Sequence, residues 1–220
     1  MTMRLYSYWR SSSSWRVRIG LGLKGLAYEY RAVDLLHHQQ FEDAHRARNP
    51  MAEVPVLEVE EGGHTVRLAQ SMAILEWLDA RHPEAALLPA DLDGRARVRM
   101  LAEIVNSGIQ PLQNAIVLGM IEKKLPGYAK EWARSWIERG LDALERAVQD
   151  GAGRFCHGEA PSLADCYVVP QLYSARRYGL DAARWTTLRR IEEACASLPA
   201  FRAAEPDRQP DAPPPDRRTP

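Results

Sequence analysis

The sequence predicts a small α/β domain followed by an all-α domain. Two observations carry that prediction. Strand and helix signals alternate over residues 1–82, and no strand signal follows. Beyond a proline-containing linker at 83–94, segments with apolar residues at helical spacing fill 95–205, and a proline-rich tail occupies 206–220. The 220 residues are 45% hydrophobic, enough for a core in each region.

Leu5-Tyr6-Ser7-Tyr8 reads as the first strand, and Ser11 to Ser14 as polar turn and cap residues. From Trp15 to Lys24 apolar Val17, Ile19, Leu21 and Leu23 alternate with Arg16, Arg18 and Lys24, and Gly25 supplies a C-terminal stop. Tyr28 to Val33 reads as a second strand. The resulting β-α-β unit requires parallel strands. Val54 to Val59 and His64 to Leu68 form a hairpin about Glu61-Gly62-Gly63. A helix from Ser71 stops before Pro83. The order β-α-β then β-β-α is that of a thioredoxin-like domain. In the second region Arg95 to Ile121 reads as helix, with Pro111 breaking it near Ile109-Gln110. Tyr128 to Gln149 is a second helix. Ser162 caps a third, and Asp165 three residues on can reach back to the cap amide. Thr187 to Ser197 is the last, and the tail is expected to be extended and mobile, because Pro213-Pro214-Pro215 joins neither helix nor sheet.

Charge balances at 29 basic and 29 acidic residues, which gives no footprint for nucleic acid or an anionic membrane. No apolar run approaches the roughly 18 residues of a membrane span. Met1-Thr2-Met3-Arg4 leads directly into the first strand without the apolar stretch of a secretory signal, so the expected location is the cytoplasm. Cys156, Cys166 and Cys195 are widely spaced with no C-x-x-C pair, and read as buried reduced thiols. His37-His38 reads as a solvated loop, since adjacent loop residues diverge and no partner has metal-ligand spacing. No metal is expected.

Three motifs carry chemistry. The serine run Ser11-Ser12-Ser13-Ser14 lies between strand one and helix one. A helix N-terminus offers unpaired amides and a partial positive charge, and a serine hydroxyl there can donate to a thiolate and favour its ionisation. The same four residues fit a polar loop with an N-cap equally well. Val54-Pro55 opens a strand. In a thioredoxin-like domain this proline would be cis and would turn the Val54 backbone outward to pair with an extended peptide, although an edge-strand proline needs no such role. Ser71, after Gln70, would cap a helix whose amides bind carboxylate, or would only cap. A thiol site, a peptide edge and a carboxylate site on one domain end complement the three parts of glutathione.

Tyr6-Ser7-Tyr8-Trp9-Arg10-Ser11-Ser12-Ser13-Ser14-Trp15-Arg16-Val17-Arg18-Ile19 resembles the signature of zeta-class glutathione transferases, the maleylacetoacetate isomerases. Asn49-Pro50-Met51, Val54-Pro55, Gln70-Ser71, Gly108 to Asn114, Ala164-Asp165, Val169-Pro170-Gln171 and Arg208-Gln209-Pro210-Asp211 extend the match over nearly the whole chain. The resemblance implies an all-helical glutathione-transferase domain after the thioredoxin-like one, glutathione as cofactor, and a homodimer. It implies that Ser11 stabilises the glutathione thiolate, with Ser12 and Ser13 beside it. Gln40, Val54, Pro55, Gln70, Ser71, Gln110 and Asn114 match glutathione-contacting positions. Where the family usually reads Ser-Ser-Cys, Ser13 replaces the cysteine.

The implied reaction is isomerisation of maleylacetoacetate to fumarylacetoacetate, in tyrosine and phenylalanine breakdown, by reversible thiolate addition. The substrate is a small diacid, and Arg10 and Arg177 are the candidates for its carboxylates. Maleylpyruvate isomerase is the nearest alternative. Some such enzymes carry an arginine after the helical-domain asparagine, where this chain has Ala115. A haloacid-processing transferase and a non-catalytic scaffold are the others. Retention of Ser11, Ser12, Val54-Pro55 and Gln70-Ser71 argues against the scaffold.

Overall fold

The computed structural model describes residues 1–217. The chain divides into two compact units: Met1–Ala86 with the segment from Pro199 onward, and Leu87–Leu198. The first unit runs β1 (Thr2–Ser7), α1 (Ser12–Leu23), β2 (Glu29–Ala32), α2 (Asp43–Arg46), β3 (Val56–Glu61), β4 (His64–Ala69) and α3 (Ser71–Arg81). The sheet order is β2-β1-β3-β4. β1 pairs β2 in parallel and β3 antiparallel, placing Leu5 opposite Tyr30 on one side and Leu57 on the other. Gly62 and Gly63 turn the β3–β4 hairpin at φ 56° and 80°, a region that favours glycine.

Alternation along β1 and β3 sends Met3, Leu5, Leu57 and Val59 to one face, where Val17 and Leu21 of α1 and Ile74 and Leu78 of α3 meet them. Burying each such side chain contributes about 1.5–3 kcal/mol. α1 begins earlier than apolar periodicity indicates, because its first turn is the polar Ser12 to Ser14. It is buried continuously from Ser14 to Leu21, arginines included.

The second unit holds α4 (Leu92–Asn106), α5 (Ala115–Lys124), α6 (Ala129–Val148), α7 (Leu163–Arg177) and α8 (Thr186–Ala196). The break expected near Ile109-Gln110 is wider than a kink. A 3-10 turn, Gln110–Gln113, separates α4 from α5, and Asn114 caps α5 anew. α6 buries Ala133, Ile137, Leu141, Leu144 and Val148 along one stripe. α7 is buried along most of its length and packs against α4, α6 and α8. Cys156, Cys166 and Cys195 are buried and form no disulfide.

The C-terminal segment differs from the sequence expectation. The helical domain was expected to run through 205 and the tail at 206–220 to be extended and mobile. Instead α9 (Pro199–Ala204) and the 3-10 turns Pro206–Arg208 and Pro215–Arg217 belong with the first unit. α9 packs on α1. Gly22 permits the approach, since a β-carbon there would lie 3.1 Å from Ala200 Cβ. Proline-rich composition argues against long elements, but not against short turns held by side chains elsewhere. Residues 218–220 lie outside the described residues.

Candidate active site

Ser11 is the N-cap of α1, at φ −66° and ψ 117°, and its Oγ accepts the Ser14 amide N–H at 3.2 Å. Both readings of the serine run are therefore compatible: the hydroxyl caps the helix with a lone pair and keeps its proton for another acceptor. Ser12 and Ser13 follow in the first turn, half-buried. That turn contains no acidic residue, so no carboxylate of its own quenches the positive end of the helix. The Ser11 N–H donates to the Tyr8 carbonyl at 3.0 Å, closing a turn through Trp9 and Arg10. The Arg10 guanidinium lies over the Trp9 ring, 5.2 Å from its centroid.

The Val54-Pro55 bond is cis, as expected. Val54 packs in one apolar cluster with Tyr8, Trp9 and Val33, which ties this segment to the serine turn. The preceding carbonyl, Glu53 O, accepts from His45 Nε2 at 2.9 Å and from Asn49 Nδ2 at 3.0 Å. His45 and Asn49 are themselves buried. Burial raises the Tyr8 phenol pKa, so this tyrosine stays neutral at physiological pH.

At α3 the sequence expectation needs correction. Ser71 is the first helical residue, not the cap; Gln70 is the cap, at φ 71° and ψ 116°, and makes no capping bond with its side chain. Ser71 Oγ instead accepts from Arg16 Nη1 at 3.2 Å, and both residues are buried. An inward-facing serine cannot also cap from outside. The first turn of α3 again has no acidic residue, and Arg16 brings a guanidinium to it from α1. The Arg16–Ser71 bond joins the serine motif to the Gln70-Ser71 motif.

Gln40 lies in the 3-10 turn Gln39–Phe41. Its Oε1 is buried with no hydrogen-bond partner among the described residues, an acceptor suited to a ligand N–H. In the second unit Gln110 opens the turn before α5. Asn114 caps α5, accepting the Ile116 N–H at 2.9 Å. Arg177 ends α7, half-buried, over the Tyr178 ring at 6.0 Å. His37 Nδ1 lies 2.6 Å from Asp34 Oδ2.

Arg16 and Arg18 carry no site signal in the sequence beyond their place in α1. Arg18 is buried and donates to Ser7 Oγ (3.1 Å), Tyr8 O (3.4 Å), Trp9 O (2.9 Å) and Ala204 O (3.1 Å). Burial pulls its pKa down to about 10, still high enough to keep the charge at neutral pH. Helical spacing could not reveal either residue, because α1 is covered on every side.

Residues 1–80 match the glutathione S-transferase N-terminal domain and residues 127–204 the C-terminal domain. The chain is 47% identical to probable maleylacetoacetate isomerase 2 of Drosophila melanogaster, over 96% of this chain and 90% of the relative. It is 46% identical to maleylpyruvate isomerase of a Ralstonia species, over 96% of this chain and all of that protein. The crystal structure of maleylacetoacetate isomerase from Anaeromyxobacter dehalogenans 2CP-1, with glutathione bound in its active site, superposes with a TM-score of 0.91 at 72% identity, over 96% of this chain and 98% of that one. With motif, fold and full-length likeness agreeing, the chain belongs to the zeta-class glutathione transferases, the maleylacetoacetate isomerase family.

Proposed function

We propose that this chain is a glutathione-dependent cis–trans isomerase that converts maleylacetoacetate to fumarylacetoacetate in tyrosine and phenylalanine catabolism. The observation that carries the reading is the start of α1: a capping hydroxyl with its proton available, at a helix N-terminus with no carboxylate of its own. Glutathione, when bound, supplies a thiolate nucleophile whose reversible addition turns the conjugated double bond into a rotatable single bond.

The residues divide that work. Ser11 donates to the thiolate and holds it ionised, with Ser12 and Ser13 completing the turn. The Val54 main chain pairs with the peptide backbone of glutathione, and Pro55 shapes that edge. The backbone amides of Gln70 and Ser71, at the open start of α3 beside Arg16, take a carboxylate. Gln40 offers its unpartnered Oε1 to a ligand amine or amide. Gln110 and Asn114 of the second unit are assigned to glutathione, and Arg10 and Arg177 to the substrate carboxylates, on family resemblance. A homodimer in the cytoplasm fits the same resemblance. Among the described residues no helix is long and apolar enough to cross a membrane.

Maleylpyruvate is the second substrate reading, favoured by the Ralstonia relative and disfavoured by Ala115 after Asn114. Parallel turnover assays on maleylacetoacetate and maleylpyruvate with glutathione test the choice. Faster turnover of maleylacetoacetate is expected, and preference for maleylpyruvate would reverse the assignment.

A further inference from the structure

The turn that presents Ser11 is held by the far end of the chain. Ser11 is fixed to the Tyr8 carbonyl, so its position follows that of Tyr8 and Trp9. Both are anchored from outside the turn. The Trp9 N–H donates to Asp211 Oδ2 at 2.9 Å, and the other carboxylate oxygen accepts from the Tyr30 hydroxyl at 2.7 Å. The carbonyls of Tyr8 and Trp9 accept from Arg18, whose Nε also holds Ala204 O. Ala212 packs on the cluster of Tyr8, Trp9, Val33 and Val54. The peptide at Trp9 is thus gripped at its N–H by one charged group and at its carbonyl by another. Charge-assisted bonds of this kind are the stronger ones.

We propose that Asp211 is a positioning residue: the C-terminal segment clamps the Tyr8–Ser11 turn through Asp211 and thereby sets the Ser11 hydroxyl against the glutathione thiolate. The proposal rests on the Ser11 assignment above. It has a physical basis in the steep dependence of a catalytic contact on geometry, where a displacement of about 1 Å can cost on the order of 100-fold in rate. A carboxylate that only stapled the tail would change stability and leave the thiolate alone.

The test uses the full chain with glutathione, comparing Asp211→Ala, Asp211→Asn and Ser11→Ala. Ultraviolet absorbance across pH gives the apparent pKa of the bound thiol, and urea unfolding gives stability separately. Asp211→Ala is expected to raise the thiol pKa toward that of free glutathione and to lower kcat about tenfold, with a smaller change in the glutathione KM. Asp211→Asn keeps an oxygen acceptor for the Trp9 amide and is expected to restore most of both. If Ser11→Ala raises the thiol pKa and Asp211→Ala does not, the clamp is overturned and the Ser11 assignment stands. If Ser11→Ala itself has no effect, the assignment falls and the clamp falls with it. Should Asp211→Ala not fold, Asp211→Glu carries the test. It keeps the charge and lengthens the arm by one methylene, so an unchanged thiol pKa in that variant overturns the proposal.

Discussion

Two helix starts in this chain share a serine at the cap and have opposite characters. α1 opens Ser11-Ser12-Ser13-Ser14 and α7 opens Ser162-Leu163-Ala164-Asp165. At α7 the fourth residue is a carboxylate, fully buried, whose Oδ2 accepts both the Ser162 N–H and the Ser162 hydroxyl at 2.7 Å. Its Oδ1 accepts the Cys156 N–H at 2.9 Å. The helix is closed by an anion of its own. At α1 the fourth residue is Ser14, Ser11 accepts its amide, and the first turn carries no anion. The contrast extends to other helices. Asp91 caps α4, and Glu145 accepts the Thr187 and Leu188 amides at the start of α8, whereas the first turn of α3 has no acidic residue. A helix end that supplies its own carboxylate is a structural joint; one that lacks it is open to an anion from outside.

The largest effect expected from breaking this contrast is at the closed end. Asp165→Ala removes the acceptor of four buried donors, the Cys195 thiol at 3.9 Å being the fourth, and should cost about 3–5 kcal/mol in urea unfolding. Glutathione affinity per folded molecule should be unaffected. At the open end the order reverses. Ser11→Ala should lower turnover about 10²–10³-fold, by analogy with loss of one donor to a developing anion. Its loss of stability should be only about 1 kcal/mol, the ordinary worth of a cap. Steady-state kinetics and denaturation on the same preparation separate the two.

Ser14→Asp gives α1 the Ser-x-x-Asp pattern of α7. The new carboxylate should occupy the helix end and repel the thiolate, weakening glutathione binding about tenfold or more (~1.4 kcal/mol) by calorimetry. Unchanged affinity would show that the open amides are not what glutathione uses.

Acid separates the units by sign. Arg67 and Arg4 hold the Glu58 carboxyl below its ordinary value, so its contribution is present above about pH 4 and lost as pH falls through its folded pKa. Burial holds Asp165 above its ordinary value, so its proton-linked contribution is full below about pH 4 and lost as pH rises through its folded pKa. The stability gap between wild type and Glu58→Gln should therefore close on acidification, and that between wild type and Asp165→Asn should widen.

The smallest effect is expected at Ser13→Cys, which restores the residue usual in the family. With Ser11 activating the thiol, the bound-thiol pKa should stay in place and turnover should change by no more than about twofold. A large gain in turnover would assign chemistry to the protein thiol instead.

What the sequence alone determined is local. The β-α-β unit, the β-β-α unit and the helices after them, the Gly62-Gly63 turn and the Ser162–Asp165 pairing all follow from neighbours a few residues apart, whereas the short α2 between β2 and β3 does not. The serine run was legible as a helix start for the same reason. Tertiary structure decided what those ends face. It made Gln70 the cap in place of Ser71, because Arg16 draws the Ser71 hydroxyl inward. It buried Arg16 and Arg18 in a helix covered on every side, and it brought Asp211 back to Trp9 across most of the chain. Periodicity records one buried face at a time and composition records the cost of order. Neither registers a hydrogen bond between residues about 200 positions apart, so a proline-rich end that reads as a mobile tail folds as part of the unit that carries the serine run.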